Sequence, residues 1–384
     1  MMKFVNDNFC KEVLQRLVRI NSCQPVGNEK EVVDAILTYF PKDIEKEVID
    51  HKNGRQSLII KINGKKNEGG VAFVGHTDTV AYGDMARWTF APLEAQEHNG
   101  YIYGRGTADM KSGDTAMIAT ALEILETGKT PEEPIYFCFT ADEEVGGLGA
   151  LALADAKCLE TVREYFIAEP TNEDIGLCEK GALWLRVKTT GLLSHGSRPE
   201  VGVNAVEKTM EFYERFKQLV DRSLVDKYLG STTMAITKFN GGVMTNVIPA
   251  YAEMEIDMRT LTNIDHEKVI ADAKTLAQTM ADEKKGLSFE IEVINNRPAV
   301  ATDENHPFIE RVAGICRDNN FKVNKKGLFF YTDASQIIPK CKAPFTIMGP
   351  GDDLMAHQID EKVEISSMTR MAKVYFDYLM KYYM

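Results

Sequence analysis

The stretch Pro134-Ile-Tyr-Phe-Cys-Phe-Thr-Ala-Asp-Glu-Glu-Val-Gly-Gly147 decides how the rest of the chain is read. Pro134 to Phe139 form an apolar run with the length and composition of a short buried strand. The run leads straight into three consecutive carboxylates, Asp142, Glu143 and Glu144. Carboxylates crowded at the end of a buried strand repel one another, so the cluster calls for a cation or a proton-transfer role. A metal ion is the simplest remedy, and the sequence supplies matching ligands. Gly75-His-Thr-Asp-Thr-Val80 follows a second apolar run, Val71 to Val74, and places His76 and Asp78 at its carboxyl end. Gly104-Arg-Gly-Thr-Ala-Asp-Met-Lys-Ser-Gly113 delivers Asp109 in a Gly-rich turn.

The chain has 384 residues, enough for two domains that each bury a core. Its 57 acidic and 45 basic side chains give a formal charge of -12, which repels phosphate backbones and anionic lipid, so neither nucleic acid nor a membrane is expected as a partner. The first ten residues form no signal-peptide core and no apolar run is long enough to span a bilayer, so a cytoplasmic location is expected. The cysteines at 10, 23, 138, 158, 178, 316 and 341 are scattered, without a Cys-x-x-Cys pair, and are read as reduced and structural.

In the first third, helical and strand signals alternate. Phe9, Val13, Leu17 and Ile20 recur at helical spacing, and Asn28 with Glu31 reads as a capping box before Val32, Val33, Ile36 and Leu37. Strands are expected at Ser57–Ile62, Val71–Val74, Ile135–Phe139 and Tyr165–Ala168, an order that suggests a three-layer α/β domain. From Gly181 the pattern changes. Leu183, Leu185 and Val187 alternate with Trp184, Arg186 and Lys188. A helix from Ala205 is expected to present Val206, Met210, Tyr213 and Phe216 on one side. Alternating stretches at Ala252–Met258 and Phe289–Val293 flank a helical pattern at His266–Met280. We therefore expect a catalytic α/β domain formed by residues 1–180 and 297–384, interrupted by an α+β insert at 181–296.

Three weaker signals fail. Asp109 occupies the third-glycine position of a dinucleotide fingerprint, Glu123 replaces the first glycine of a phosphate loop ending at Thr130, and Ser194-His195 lacks a nucleophile elbow. The acid and histidine set is stronger. In His76-Thr-Asp78 one side chain can bind metal while the carboxylate orients the ring, although an N-cap Asp beside a packed His is an equally good reading. Glu143 and Glu144 could serve as base and ligand or form a solvated acidic loop. Asp109 could be an ordinary turn residue, and His357 a structural one. Glu169 follows the run Tyr165–Ala168, and His357 follows the strand-like Pro344–Met348. Together His76, Asp109, Glu144, Glu169 and His357 are two histidines and three carboxylates, a set that suits two divalent ions such as Zn(II) sharing one carboxylate, with Glu143 left over.

The strings GHTDTV, GRGTADMKSG, TADEEVGG, AEPT and MAHQIDE, in this order, resemble those of the M20 metallopeptidase and deacylase family, and the resemblance runs essentially end to end. It implies a zinc-exopeptidase-like catalytic domain with a ferredoxin-like insert serving as lid and dimerisation domain, and hence a homodimer. It implies two Zn(II) or Co(II) ions bridged by Asp109, with His76 and Glu169 on one and Glu144 and His357 on the other. Glu143 would be the general base, Asp78 would orient His76, and the Asp109–Met110 peptide would be cis. In the insert, SHGSRPEVGVNA resembles the lid motif whose histidine, here His195, reaches a partner subunit's active site, and Asn246 and Arg259 resemble substrate-binding positions. The strand period alone puts Arg259 on a solvated face with Glu253, Glu255 and Asp257. Ser112 and Asp360 depart from the family pattern, where Gly and Asn are common.

The expected reaction is hydrolysis of an N-acyl amino acid of acetyl or succinyl type, with Glu143 as base and His195 polarising the carbonyl. A dipeptidase or carboxypeptidase using the same site is the alternative. A non-catalytic protein with a vestigial site is a third reading, disfavoured because all five ligands, Asp78 and Glu143 are present.

Overall fold

A computed structural model describes residues 2–384. The described chain divides into two compact units. One comprises the residues up to Cys178 together with Ala301–Lys326 and Thr332–Met384, and the other comprises Glu179–Val300 with Gly327–Tyr331.

The first unit is built on a mixed sheet whose centre runs Gln56–Ile62, Ile135–Thr140, Val71–His76, Glu164–Ile167 and Phe345–Ile347. The last four of these strands run parallel to one another. Their residues are buried throughout, as expected for parallel strands covered on both faces. Phe73 stacks on Phe137 and Phe166 across three neighbouring strands. Register aligns His76 with Thr140, Val74 with Ile167, and Ile167 with Ile347. The four carboxyl ends therefore share one edge, where open α/β sheets present their functional loops.

Helix Lys111–Glu126 is buried from Lys111 to Ile124 and carries Asp109 just ahead of its first turn. The Asp109–Met110 peptide is cis, as the resemblance implied, and so is Gln24–Pro25, which the sequence did not signal. A side chain at Gly113 would meet the Ala168 carbonyl oxygen at 2.1 Å, and one at Gly349 would meet it at 2.3 Å. Two glycines thus let a helix and a loop close on the backbone that presents Glu169. Ser112 is accommodated, with its hydroxyl 3.5 Å from the Ala108 carbonyl.

The second unit has the order β-α-β-β-α-β. Its antiparallel sheet runs Thr233–Gly241, Tyr251–Thr260, Gly181–Thr190, Ser288–Arg297, the ferredoxin-like arrangement. Leu183, Leu185 and Val187 pack with Met254, Ile256 and Met258 against helices Ala205–Phe216 and His266–Glu283. The opposite face is laced with charge, Arg186 pairing with Glu255 and Glu292.

Two local readings need correction. Asn28 precedes helix Glu29–Leu37 but its side chain makes no cap hydrogen bond, because Glu29 is drawn fully into the interior and the Glu31 amide binds the Asn28 carbonyl instead. In helix Ala205–Phe216 the buried face is Thr209, Phe212, Tyr213 and Phe216, while Met210 is exposed, since the sheet lies about one position around from the apolar stripe expected. Among the described residues all seven cysteines are free, and no helix is long and apolar enough to cross a membrane.

Gly113→Ala should cost about 1–3 kcal/mol, because a methyl group has to displace backbone rather than a flexible side chain. Urea unfolding of the variant measures this, and an unchanged midpoint would contradict the packing described.

Candidate metal centre

The shared edge of the sheet brings the expected ligands of the first unit together. His76 ends its strand almost fully buried, with Nε2 3.0 Å from Asp109 Oδ1 and 3.6 Å from Glu169 Oε1. His357 approaches from the loop after the Phe345 strand, with Nε2 3.0 Å from Glu144 Oε2 and 3.3 Å from Asp109 Oδ2. The two oxygens of Asp109 therefore face different imidazoles, one beside Glu169 and the other beside Glu144. His76, Asp109 and Glu144 each offer a ligand atom within 4.8 Å of the others.

Charge explains why such a cluster wants cations. Burial pushes the Glu144 carboxyl up, and Asp109 adds to it; burial, Asp109 and Glu143 push Glu169 well up against the opposing pull of His76. Burial would also raise Asp109, but its bonds to His357 and His76 hold it below the usual carboxylate range. Burial works against a charged His76, yet Glu169 and Asp109 raise it well above an ordinary histidine, and hydrogen bonds to Asp109 and Glu144 raise His357 to about 10. The imidazoles are drawn toward holding positive charge where a metal would hold it. Glu144 Oε1 is buried without a hydrogen-bond partner, a free lone pair beside the His357 contact. This donor set, imidazole nitrogens and carboxylate oxygens around a shared aspartate, fits borderline divalent ions.

Asp78 supports the site differently from the simple picture of a carboxylate on a ring. His76 Nδ1 is 3.0 Å from the Asp78 carbonyl oxygen and 3.7 Å from its carboxylate. The carboxylate instead accepts the amides of Glu143 at 3.1 Å and Glu144 at 3.2 Å, and so sets the backbone that splays the two adjacent acids. Gln24 donates to Asp78 at 2.9 Å and to Glu29 at 3.0 Å, and Arg55 in turn binds Gln24 and Asp142. Sequence reasoning missed Gln24 and Glu29 because neither lies near a strand end. No signal in the sequence pointed to either of them.

In the second unit His195 is exposed in a short strand paired with Val247–Ile248. Its Nδ1 accepts the Ser197 amide at 3.1 Å, which leaves Nε2 as the ring nitrogen available to donate. Arg259 lies on the charged sheet face, as the strand period implied, paired with Asp257 and over the Trp184 ring. Asn246 is exposed, and its carbonyl accepts the Gly196 amide at 2.7 Å.

The model of peptidase family M20/M25/M40 matches residues 72–381. The chain belongs to this family. It is 30% identical over 386 residues to a protein named probable succinyl-diaminopimelate desuccinylase from Staphylococcus aureus (strain N315), covering 92% of this chain and 93% of that one. It is 31% identical over 344 residues to acetylornithine deacetylase of Vibrio parahaemolyticus, covering 87% and 86% of the two chains. The solved structure of the aminopeptidase PepT from Bacillus cereus superposes with a TM-score of 0.77 at 21% identity over 98% of both chains. Membership makes this chain an M20 metallohydrolase of the deacylase or exopeptidase kind.

Asp78→Ala should strip two buried amides of their acceptor, cost about 2–4 kcal/mol and weaken metal binding roughly 10- to 100-fold. Denaturant unfolding and metal titration of the same preparation check both, and loss of stability with unaltered metal affinity would argue against the role described.

Proposed function

We propose that the protein removes an N-acyl group, of acetyl or succinyl type, from an amino acid by hydrolysing the amide. The observation that carries this reading is Asp109, whose two oxygens face His76 and His357 separately at 3.0 and 3.3 Å. That placement supports two ions sharing Asp109, with His76 and Glu169 completing one and Glu144 and His357 the other. Zn(II) or Co(II) suits such ligands. Two bound divalent ions would supply Lewis acidity toward the carbonyl oxygen and a water acidified toward neutral pH.

The protein's own groups do the rest. Glu143, buried beside the ligands and held by Asp78 through its amide, takes the proton of the attacking water. As the carbon–oxygen bond forms, negative charge develops on the carbonyl oxygen, and the Nε2 proton of His195 is the donor suited to it. Glu143 then returns the proton to the amine nitrogen as the carbon–nitrogen bond breaks, releasing a carboxylic acid and a free amino acid. In this reading the second unit is a lid and dimerisation domain, His195 acts across a homodimer in the partner's site, and Asn246 and Arg259 bind the substrate, Arg259 through its carboxylate. A cytoplasmic location accords with such a substrate.

The curated relatives near 30% identity carry deacylase names, whereas the peptidase likeness rests on folds at lower identity, and this favours the deacylase reading. A dipeptidase or carboxypeptidase would use the same residues.

Amine release by the Co(II)- or Zn(II)-loaded protein from N-acetyl, N-succinyl and N-formyl amino acids, run beside matched dipeptides, tests the assignment. Faster release from acyl substrates is expected, and preference for dipeptides would move the protein to the exopeptidase branch. Glu143→Ala should keep fold and metals and lose at least about 100-fold in kcat, and near-normal turnover would sink the general-base role.

A further inference from the structure

We propose that the buried Arg105–Glu361 pair is a positioning device that holds the His357 half of the metal centre in register with Asp109, and so sets the affinity of one ion while touching neither. The inference deepens the dinuclear reading above and rests on it. Arg105 is 3% exposed and Glu361 fully buried, and they meet at 2.6 Å. A buried ion pair of this kind depends on hydrogen bonds to its remaining polar atoms, and of these only Arg105 Nε lacks a partner. Here most of those partners are backbone groups of the segments that carry ligands. Glu361 Oε1 accepts the amides of Ala108 at 2.8 Å and Asp109 at 3.0 Å, and Oε2 accepts that of Gly106 at 3.2 Å. Arg105 donates to the carbonyls of Gln358 at 3.2 Å, His357 at 3.3 Å and Ala81 at 3.2 Å, with Trp88 against its guanidinium face. The acid thus fixes the backbone of the bridging aspartate, the base fixes the backbone of His357, and the ion pair ties the two together.

The two histidines differ in their need for such a tie. His76 ends a buried strand and is held by the Asp78 carbonyl. His357 has a side chain 52% exposed and a φ of +63°, a left-handed conformation that a non-glycine residue keeps only when its surroundings enforce it. Packing does not fix its loop, and hydrogen bonding has to. Asp360, the departure from the family's Asn, adds a fastening on the other side, its carboxylate accepting the amides of Thr89 at 2.8 Å and Phe90 at 3.3 Å.

Arg105→Lys keeps the charge opposite Glu361 but cannot serve three carbonyls with a planar fork. Co(II) titration of the full-length chain, followed by visible absorption and calorimetry, reads both ions without recourse to turnover. Wild type should bind two ions, and R105K should hold the His76 ion within about twofold while weakening the His357 ion roughly 10- to 100-fold. In a His357→Ala background the same Arg105 substitution should have no further effect on Co(II) binding. Equal weakening of both ions, no weakening, or an undiminished effect in the His357→Ala background would overturn the inference. A wild type that binds a single Co(II) would instead remove the dinuclear reading, and the inference with it. If R105K does not fold, Arg105→Gln, which keeps a donor toward the His357 loop and leaves Glu361 in place, is titrated instead with the same split expected.

Discussion

Four carboxylates and two imidazoles meet at one edge of a parallel sheet, and the repulsion among those acids is the constraint that the surrounding structure answers. Asp109 lies between His76 and His357, Glu169 stands beside the first and Glu144 beside the second. Burial raises Glu144 and Glu169, and the histidines are pulled toward carrying charge in compensation. Nothing in the apolar sheet below could neutralise the cluster. Cations shared across Asp109 would, and the surrounding backbone is arranged so that the acids stay close enough to share them.

That arrangement is made by hydrogen bonds to backbone more than by packing. Asp78 takes the amides of Glu143 and Glu144, and Glu361 takes those of Gly106, Ala108 and Asp109. Adjacent acids on regular structure would point apart or into solvent. Held by Asp78, one can serve as ligand and the other as base. The glycines at 113 and 349 complete the frame by letting neighbouring segments close on the Ala168 carbonyl.

Much of this was legible in the sequence because its signals are local. An apolar run followed by Asp142-Glu-Glu144, and His76 at the end of Val71–His76, announce strand ends and candidate ligands within a few residues. The two-residue period from Gly181 to Lys188 likewise gave the strand and its buried face. What stayed hidden was long-range. Glu361 reaches Ala108 across 253 residues, and Gln24 reaches Asp78 across 54. A Gln or Glu outside any periodic pattern gives no hint of such a partner. The Asn28 cap failed for a related reason: Glu29 is claimed by Gln24, so a local rule yielded to a tertiary contact.

The central claim is that Asp109 bridges two ions at this sheet edge. Anomalous diffraction from crystals of the Co(II)-loaded protein tests it most directly. The account predicts two anomalous peaks about 3.5–4 Å apart, flanking the Asp109 carboxylate, one beside His76 and Glu169 and the other beside Glu144 and His357. A single peak, or a pair lying away from Asp109, would contradict it.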